Sequence, residues 1–503
     1  MAIGKPGFVL MAALAATGVG LAGCDGGAAE VASPGVGGFP PAPPPPAPPP
    51  PPPPPGQTIP AADCSAAPGT TNTGTVTVPG GTQRVCALPN IITGSLTLPN
   101  TPGVVYSLNG RVTVGDDTGA NPTAPIAGRS NGTLTILAGT RIFGSSGADF
   151  LVVQRGSQIF ANGAADAPVV FTSRQDIQGT DGPNDIGQFG GLVILGRAPI
   201  NSCPATVEGG TVGCEAQVEG TNAFYGGATA NDSSGRLEFV QVKYPGFEVS
   251  TNNELNGITL AGVGSNTIVQ NIQVHNSSDD GVEWFGGRVN VRNLVVTGAD
   301  DDSLDWDSGW QGAVQRVIVI QRPAAGTAGG DRVIEGSSGA QNNDRLPRTQ
   351  ATVANFTFVA NAGGGEAVIF NQGSSNTLIN GIITGKSFCL DVDNNATIAQ
   401  NPTFASVVFS CGTAVRDEAD VPASQILARI NAGPNNNLTF TTSLVDRFIN
   451  GNNEAAVVAS NPITVSGGNA FFQNLPYIGA VQNAADNTFR GWTCSLYVGA
   501  PTC

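Results

Sequence analysis

Two acid-rich stretches repeat in this sequence. "SSDDGVEWFGG" at residues 277–287 returns as "ADDDSLDWDSG" at 299–309, aligned without a gap. Asp279 falls on Asp301, Asp280 on Asp302, Glu283 on Asp305 and Trp284 on Trp306. Carboxylates in such pairs support three kinds of behaviour. They can serve as acid and base in glycoside cleavage. They can cage a hard cation such as Ca²⁺, which takes oxygen ligands. They can also be a solvated acidic turn, with Asp chosen for loop conformation. If the two copies stack, charges about 5 Å apart repel by roughly 3 kcal/mol at an effective dielectric of 20. A shared proton or a bound cation relieves that repulsion. The cation set is Asp279, Asp280, Asp301 and Asp302, with Glu283 and Asp305 beside them.

Other reactive side chains are few. His275 is the single histidine, which excludes His-rich zinc sites and leaves a Ser-His-Asp triad one base at most. Two aromatic residues are ligand-contact candidates: Trp310 in "GWQG", and Tyr225 in the polar loop at 218–235. Either could be a sugar platform, or could pack into a turn or a solenoid edge. "GDD" at 115–117 is a lone turn and carries no weight. The net charge of −15 argues against nucleic acid, since little here would displace counterions from phosphates.

The elements that would position the acids are short strands. Gly accounts for 69 of 503 residues and only 12% are charged, which fits strands joined by many tight turns. "VQNIQVHN" at 269, "VRNLVVTG" at 291 and "VQRVIVIQ" at 314 recur every 22 or 23 residues, and "ANFTFVAN" and "INGIITGK" continue the series. A period of this length indicates a solenoid. Each turn has room for three strands and three bends: residues 268–270, a bend at Asn271, residues 272–274, the acid loop, and residues 282–285. Asn suits a left-handed bend, and Asn293 at the same phase could stack on Asn271. Val282, Leu304, Trp284 and Trp306 should point inward, and Glu283 and Asp305 outward. A mixed sandwich is the alternative. In the last stretch, residues 417–430 suggest a helix with Glu418 and Asp420 near its start, and "NNLTFTTSLV" and "GWTCSLYV" suggest strands.

The N-terminal stretch reads as a targeting segment. A basic Lys5 precedes an apolar run at 8–19, too short to span a bilayer. "LAGC" at 21–24 resembles the bacterial lipobox, which implies a signal peptide at 1–23 and a lipid on Cys24. A plain secretory signal is the alternative. Asp25 in enterobacterial lipoproteins favours inner-membrane retention, so the inner membrane stays open beside the outer membrane or cell surface. Residues 24–60 form a Gly/Pro-rich linker, and the almost pure proline run at 40–55 would be a stiff rod. Eight further cysteines fall as near neighbours: Cys64 and Cys86, Cys203 and Cys214, Cys389 and Cys411, Cys494 and Cys503. Neighbour disulfides suit an exported chain, with buried thiols as the alternative.

The 22-residue coil resembles the right-handed parallel β-helix of pectate lyases and polygalacturonases. That resemblance implies an all-β solenoid at 132–411, N-terminal strands or a cap at 61–131, and a C-terminal cap region at 412–503. "SDDGVE" at 278–283 and "DDDSLD" at 300–305 resemble the first two motifs of polygalacturonase-type hydrolases. There the matching Asp280, Asp301 and Asp302 would be catalytic. The third and fourth motifs, "G-H-G" and "R-x-K", have no counterpart: the corresponding places read "GGDRVIEGS" and "GGGEAVIFN". A lyase route would need an arginine base, for which Arg332 is the nearby cation. "APVVFTS", "GGLVILGRAPI" and "NDSSGRLEFVQVKYPG" also resemble exported bacterial β-helix lipoproteins. The expectation is a lipid-anchored cell-envelope β-helix that binds or displays, with a carbohydrate or surface-protein partner and calcium on its acids. Its alternative is a polysaccharide-degrading hydrolase or lyase.

Overall fold

A computed structural model describes residues 58–251, 253–323, 330–339 and 344–503. The expected signal peptide, Cys24 and the proline run lie outside the described residues.

Parallel strands stack coil upon coil, which excludes a sandwich. One face of the stack runs through eleven strands: Ile91–Ile92, Arg111–Val114, Phe150–Val153, Leu192–Leu195, Ile258–Ala261, Val282–Phe285, Leu304–Asp307, Ile334–Gly336, Glu366–Phe370, Phe388–Val392 and Thr413–Val415. We call it the acid-bearing face. The other two faces belong to one sheet, because in the later coils a single strand bends across both. In Ile268–His275 the bend is Asn271, and in Asn290–Thr297 it is Asn293, both with φ of 56°. That left-handed conformation is tolerated by Asn, whose short amide also bonds locally. Asn293 Nδ2 donates to Asn271 Oδ1 at 2.8 Å, so the expected ladder forms. Arg316 occupies the next bend and ends it.

The interior is a continuous apolar column. Val282, Leu304, Trp284 and Trp306 all lie in it, as their alternation with polar neighbours required. Parallel pairing begins earlier than residue 132. Gly81–Ala87 already pairs in parallel with Val104–Ser107, so most of 61–131 is coil and only the antiparallel strand Thr71–Val78 closes that end.

The C-terminal region departs from the expected cap. A helix at Ala423–Ala432 does cover the open end, burying Ile426 and Ile430 in the core. It starts after Pro422, so Glu418 and Asp420 precede it. Asp417 Oδ1 accepts the Ala423 N–H at 2.8 Å. Beyond it the chain turns back and runs along the outside of the large sheet. The outward side chains Val295, Ile318, Ile382 and Val408 are apolar and need a cover. Phe448, Ile478, Trp492 and Leu496 supply it. This strap bonds to several coils: Asn380 Nδ2 to Ser460 O, Asn355 Nδ2 to Tyr477 O, and Gln273 Nε2 to Cys494 O, at 2.8, 2.8 and 2.9 Å. "NNLTFTTSLV" and "GWTCSLYV" lie in the strap as turns and isolated bridges, not strands. All four neighbour disulfides form: Cys64–Cys86, Cys203–Cys214, Cys389–Cys411 and Cys494–Cys503.

A candidate cation site on the acid-bearing face

The register of the acid-bearing face places like charges on consecutive rungs. Glu283 pairs with Asp305, and Asp305 with Glu335. Parallel strands lie about 4.8 Å apart, so their outward carboxylates form a column. Glu283 and Asp305 do point away from the core. They are not freely solvated, however: Glu283 is 6% exposed. The loop at 218–235 covers it and brings Glu219 against it. Cys203–Cys214 and the hydrophobic cluster around Ile200, Val218 and Tyr225 hold that loop in place.

The preceding turns form a second, parallel column. Asp280 N–H donates to Asn256 Oδ1 at 3.2 Å, Asp302 N–H to Asp280 Oδ1 at 2.9 Å, and Arg332 N–H to Asp302 Oδ1 at 2.6 Å. Each side-chain oxygen therefore caps the turn one coil on. Asp280 and Asp302 are buried, at 6% and 3% exposure. Asn256 ties the two columns together, since its Nδ2 donates to Glu283 Oε2 at 2.6 Å.

Carboxylate oxygens of Asp280, Glu283 and Asp305 lie within 4.8 Å of one another, as do those of Asp279, Asp280 and Asp301. Asp301, Asp302 and Asp331 form a third such group, and Asp391, Asp393 and Glu418 a fourth. Burial is the first cause that pushes the central carboxyls up, and neighbouring acids add to it. Asp280 rises well above the usual range through burial and the charge of Asp305. Glu283 rises through burial and Glu219, Asp305 through burial and Glu335, and Asp302 through burial and Asp301. Asp279 is pushed up to about 8 by burial and Asp301, and Asp301 is also raised. Asp305 Oδ1 is buried without a hydrogen-bond partner among the described residues. A buried acceptor left open amid other acids asks for a proton or a cation.

Positive charge sits at one end. Arg332 contacts Asp331, Glu335 and Glu366 at 2.7, 2.9 and 2.9 Å. Burial works against its guanidinium, but Asp302, Glu335 and Asp331 outweigh it and hold the charge more firmly than usual. That is the opposite of what a proton-abstracting base needs. His275 stands apart, its Nδ1 2.7 Å from Thr297 Oγ1, and burial lowers it to about 3.

Both aromatic candidates take the packed alternative. Trp310 is fully buried, stacked on Trp284 at 5.0 Å and close to Trp306 at 5.6 Å, and its Nε1 donates to Val289 O. Its apolar ring turns into the solenoid and leaves no face for a sugar. Tyr225 is buried against Phe285 at 6.0 Å. Sequence reasoning missed Asn256, Glu219 and Glu335. Glu335 had a signal, since "IEG" at 334–336 follows "VEW" and "LDW" in phase. Glu219 had none, because a loop from an earlier coil delivers it.

A family model described as a pectate-lyase like beta helix domain matches residues 106–455. No curated protein matches the chain. Among solved structures, the crystal structure of pectate lyase Pel9A is similar over 81% of this chain and 88% of its own, at 11% identity and a TM-score of 0.32.

Proposed function

The chain belongs to the pectate-lyase-like β-helix domain family, and from that premise we propose a β-helix that binds or displays rather than cuts, with a calcium ion on its acid-bearing face. The observation that carries this reading is the cluster of carboxylate oxygens of Asp280, Glu283 and Asp305, together with a buried Asp305 Oδ1 that has no hydrogen-bond partner among the described residues. All-oxygen ligands of this charge suit Ca²⁺. Asp280, Glu283 and Asp305 would hold the ion, with Glu219 and Asp279 near. When bound, it would neutralise acids that otherwise repel and fix the loop at 218–235 over the solenoid. Cleavage is less well supported. Asp280 and Asp302 each commit an oxygen to a backbone N–H, and Arg332 is engaged by three acids.

Isothermal titration tests the ion. Metal-free protein should bind calcium, and Asp305→Asn should weaken it by about tenfold or more. Equal affinity in the variant would remove this site.

The rest of the reading concerns setting and partner. "LAGC" supports a lipid on Cys24 and a place in the cell envelope, at the outer membrane or cell surface, with the inner membrane left open by Asp25. A carbohydrate or a neighbouring surface protein is the proposed partner. Fractionation tests the anchor: Cys24→Ala should move the protein from membrane to soluble fractions, and an unchanged distribution would overturn it. One observation favours the glycan-cleaving alternative. Asp301 is exposed and raised, next to Asp302. Polysaccharide breakdown that disappears in Asp301→Asn would establish that alternative.

A further inference from the structure

Lysine is rare in this chain. Of its 22 Lys and Arg residues, only Lys5, Lys243 and Lys386 are lysines. Lys243 meets Asp176 at 2.7 Å. Lys386 is buried, at 5% exposure, and has no carboxylate bonded to it among the described residues. An arginine there would stay charged, whereas a buried lysine can present a free amine.

Asn361 lies beside it. Val359 pairs with Thr384, and the Ala360 N–H donates to Thr384 O at 2.9 Å. Two residues beyond that pair, Asn361 and Lys386 hold equivalent places on consecutive coils, whose strands stack about 4.8 Å apart. Both side chains turn to one carbonyl: Lys386 Nζ and Asn361 Nδ2 each donate to Gly330 O at 3.2 Å. A methyl group on Gly363 would lie 3.7 Å from Asn361 Cγ and 3.8 Å from Lys386 Nζ. Gly363 has no side chain, so the amine and the amide carbon border the same open space. The Gly363 N–H donates to Asn361 Oδ1 at 3.0 Å. That donor polarises the amide and is placed to hold the negative oxygen that forms when Cγ is attacked. Burial lowers the Lys386 ammonium below its ordinary value, although the charges of Asp331 and Glu366 oppose it. Desolvation of this kind activates a lysine as a nucleophile.

We propose that Lys386 and Asn361 join in an isopeptide bond between consecutive coils. Nζ moves off Gly330 O and attacks Cγ. The Nζ–Cγ bond forms and the Cγ–Nδ2 bond breaks. The two protons that Nζ sheds leave on Nδ2, so a lysine ammonium and a primary amide become a secondary amide and an ammonium ion. No oxidant or cofactor is consumed. The N–H of the new amide can still donate to Gly330 O, the acceptor that both nitrogens share. Cys389–Cys411 already joins the next pair of coils, so the two links make three successive coils one covalent unit. This staple belongs to the scaffold and does not depend on calcium.

Peptide mapping of the full-length protein tests it. Trypsin spares an acylated lysine. Reduction and digestion should therefore give residues 349–416 as one peptide, lighter than its sequence by about 17 Da for the lost ammonia. Fragmentation of that peptide should place the link between Asn361 and Lys386. Lys386→Arg should restore the full mass and cleavage at this position. Cleavage of the wild type after Lys386, into peptides 349–386 and 387–416, would overturn the proposal. So would a joined peptide of full mass, or an ammonia loss that persists in Lys386→Arg.

Discussion

Asp280 Oδ1 accepts the backbone N–H of Asp302 at 2.9 Å, one coil further along the stack. The bond makes Asp280 part of the scaffold as well as part of the acid cluster. The two roles can be separated by substitution. Asp280→Ala leaves the buried Asp302 N–H unpaired and should cost about 1–3 kcal/mol. Asp280→Asn keeps an acceptor and is neutral without taking up a proton on folding. In metal-free protein it should therefore be at least as stable as the wild type by urea denaturation. In calcium it should lose the stabilisation that the wild type gains.

The raised carboxyls fix the direction of the pH dependence. Asp279 at about 8, and Asp280, Glu283, Asp302 and Asp305 well above the usual range, hold protons in the folded chain that the unfolded chain releases near pH 4. Their contribution is thus fully present below the unfolded pKa and is lost as pH rises through the folded one. Metal-free protein should melt at a lower temperature at pH 8 than at pH 5. Calcium should reduce that difference, since it favours the ionised forms. Thermal scans over this range provide the check.

Trp310 packs between coils rather than facing solvent, stacked on Trp284 at 5.0 Å. Trp310→Ala should cost about 3–5 kcal/mol through the cavity it leaves. Added oligosaccharide should not change the accessibility of this tryptophan to a fluorescence quencher.

The strap can be tested through Trp492, which is fully buried against the large sheet. Trp492→Ala should open the strap locally and speed protease cleavage within residues 434–503, ahead of global unfolding. The stacked coils should keep their circular dichroism.

The solenoid was legible because a coil repeats one pattern over 22 residues. Asn271 and Asn293 marked the bend, and the letters of "VEW" and "LDW" sorted themselves into inward and outward faces. The cysteine pairs were legible for a related reason, as each closes a short segment. What the sequence hid is long-range. Glu219 reaches Glu283 from an earlier loop, and the strap touches coils up to 260 residues away, as in Lys243 Nζ to Cys503 O. No local period records such contacts. Trp310 stayed ambiguous because it sits in a Gly-flanked turn, and the pull of two neighbouring indoles is not visible in the sequence.

Calcium-dependent melting tests the central reading most directly. A ligand that binds only the folded state at a hundred times its Kd stabilises it by about 2.7 kcal/mol. Metal-free wild-type protein at pH 7.5 should therefore melt several degrees higher in millimolar calcium, and Asp305→Asn should show little of that rise. No shift in the wild type, or an equal shift in Asp305→Asn, would contradict a calcium ion on Asp280, Glu283 and Asp305.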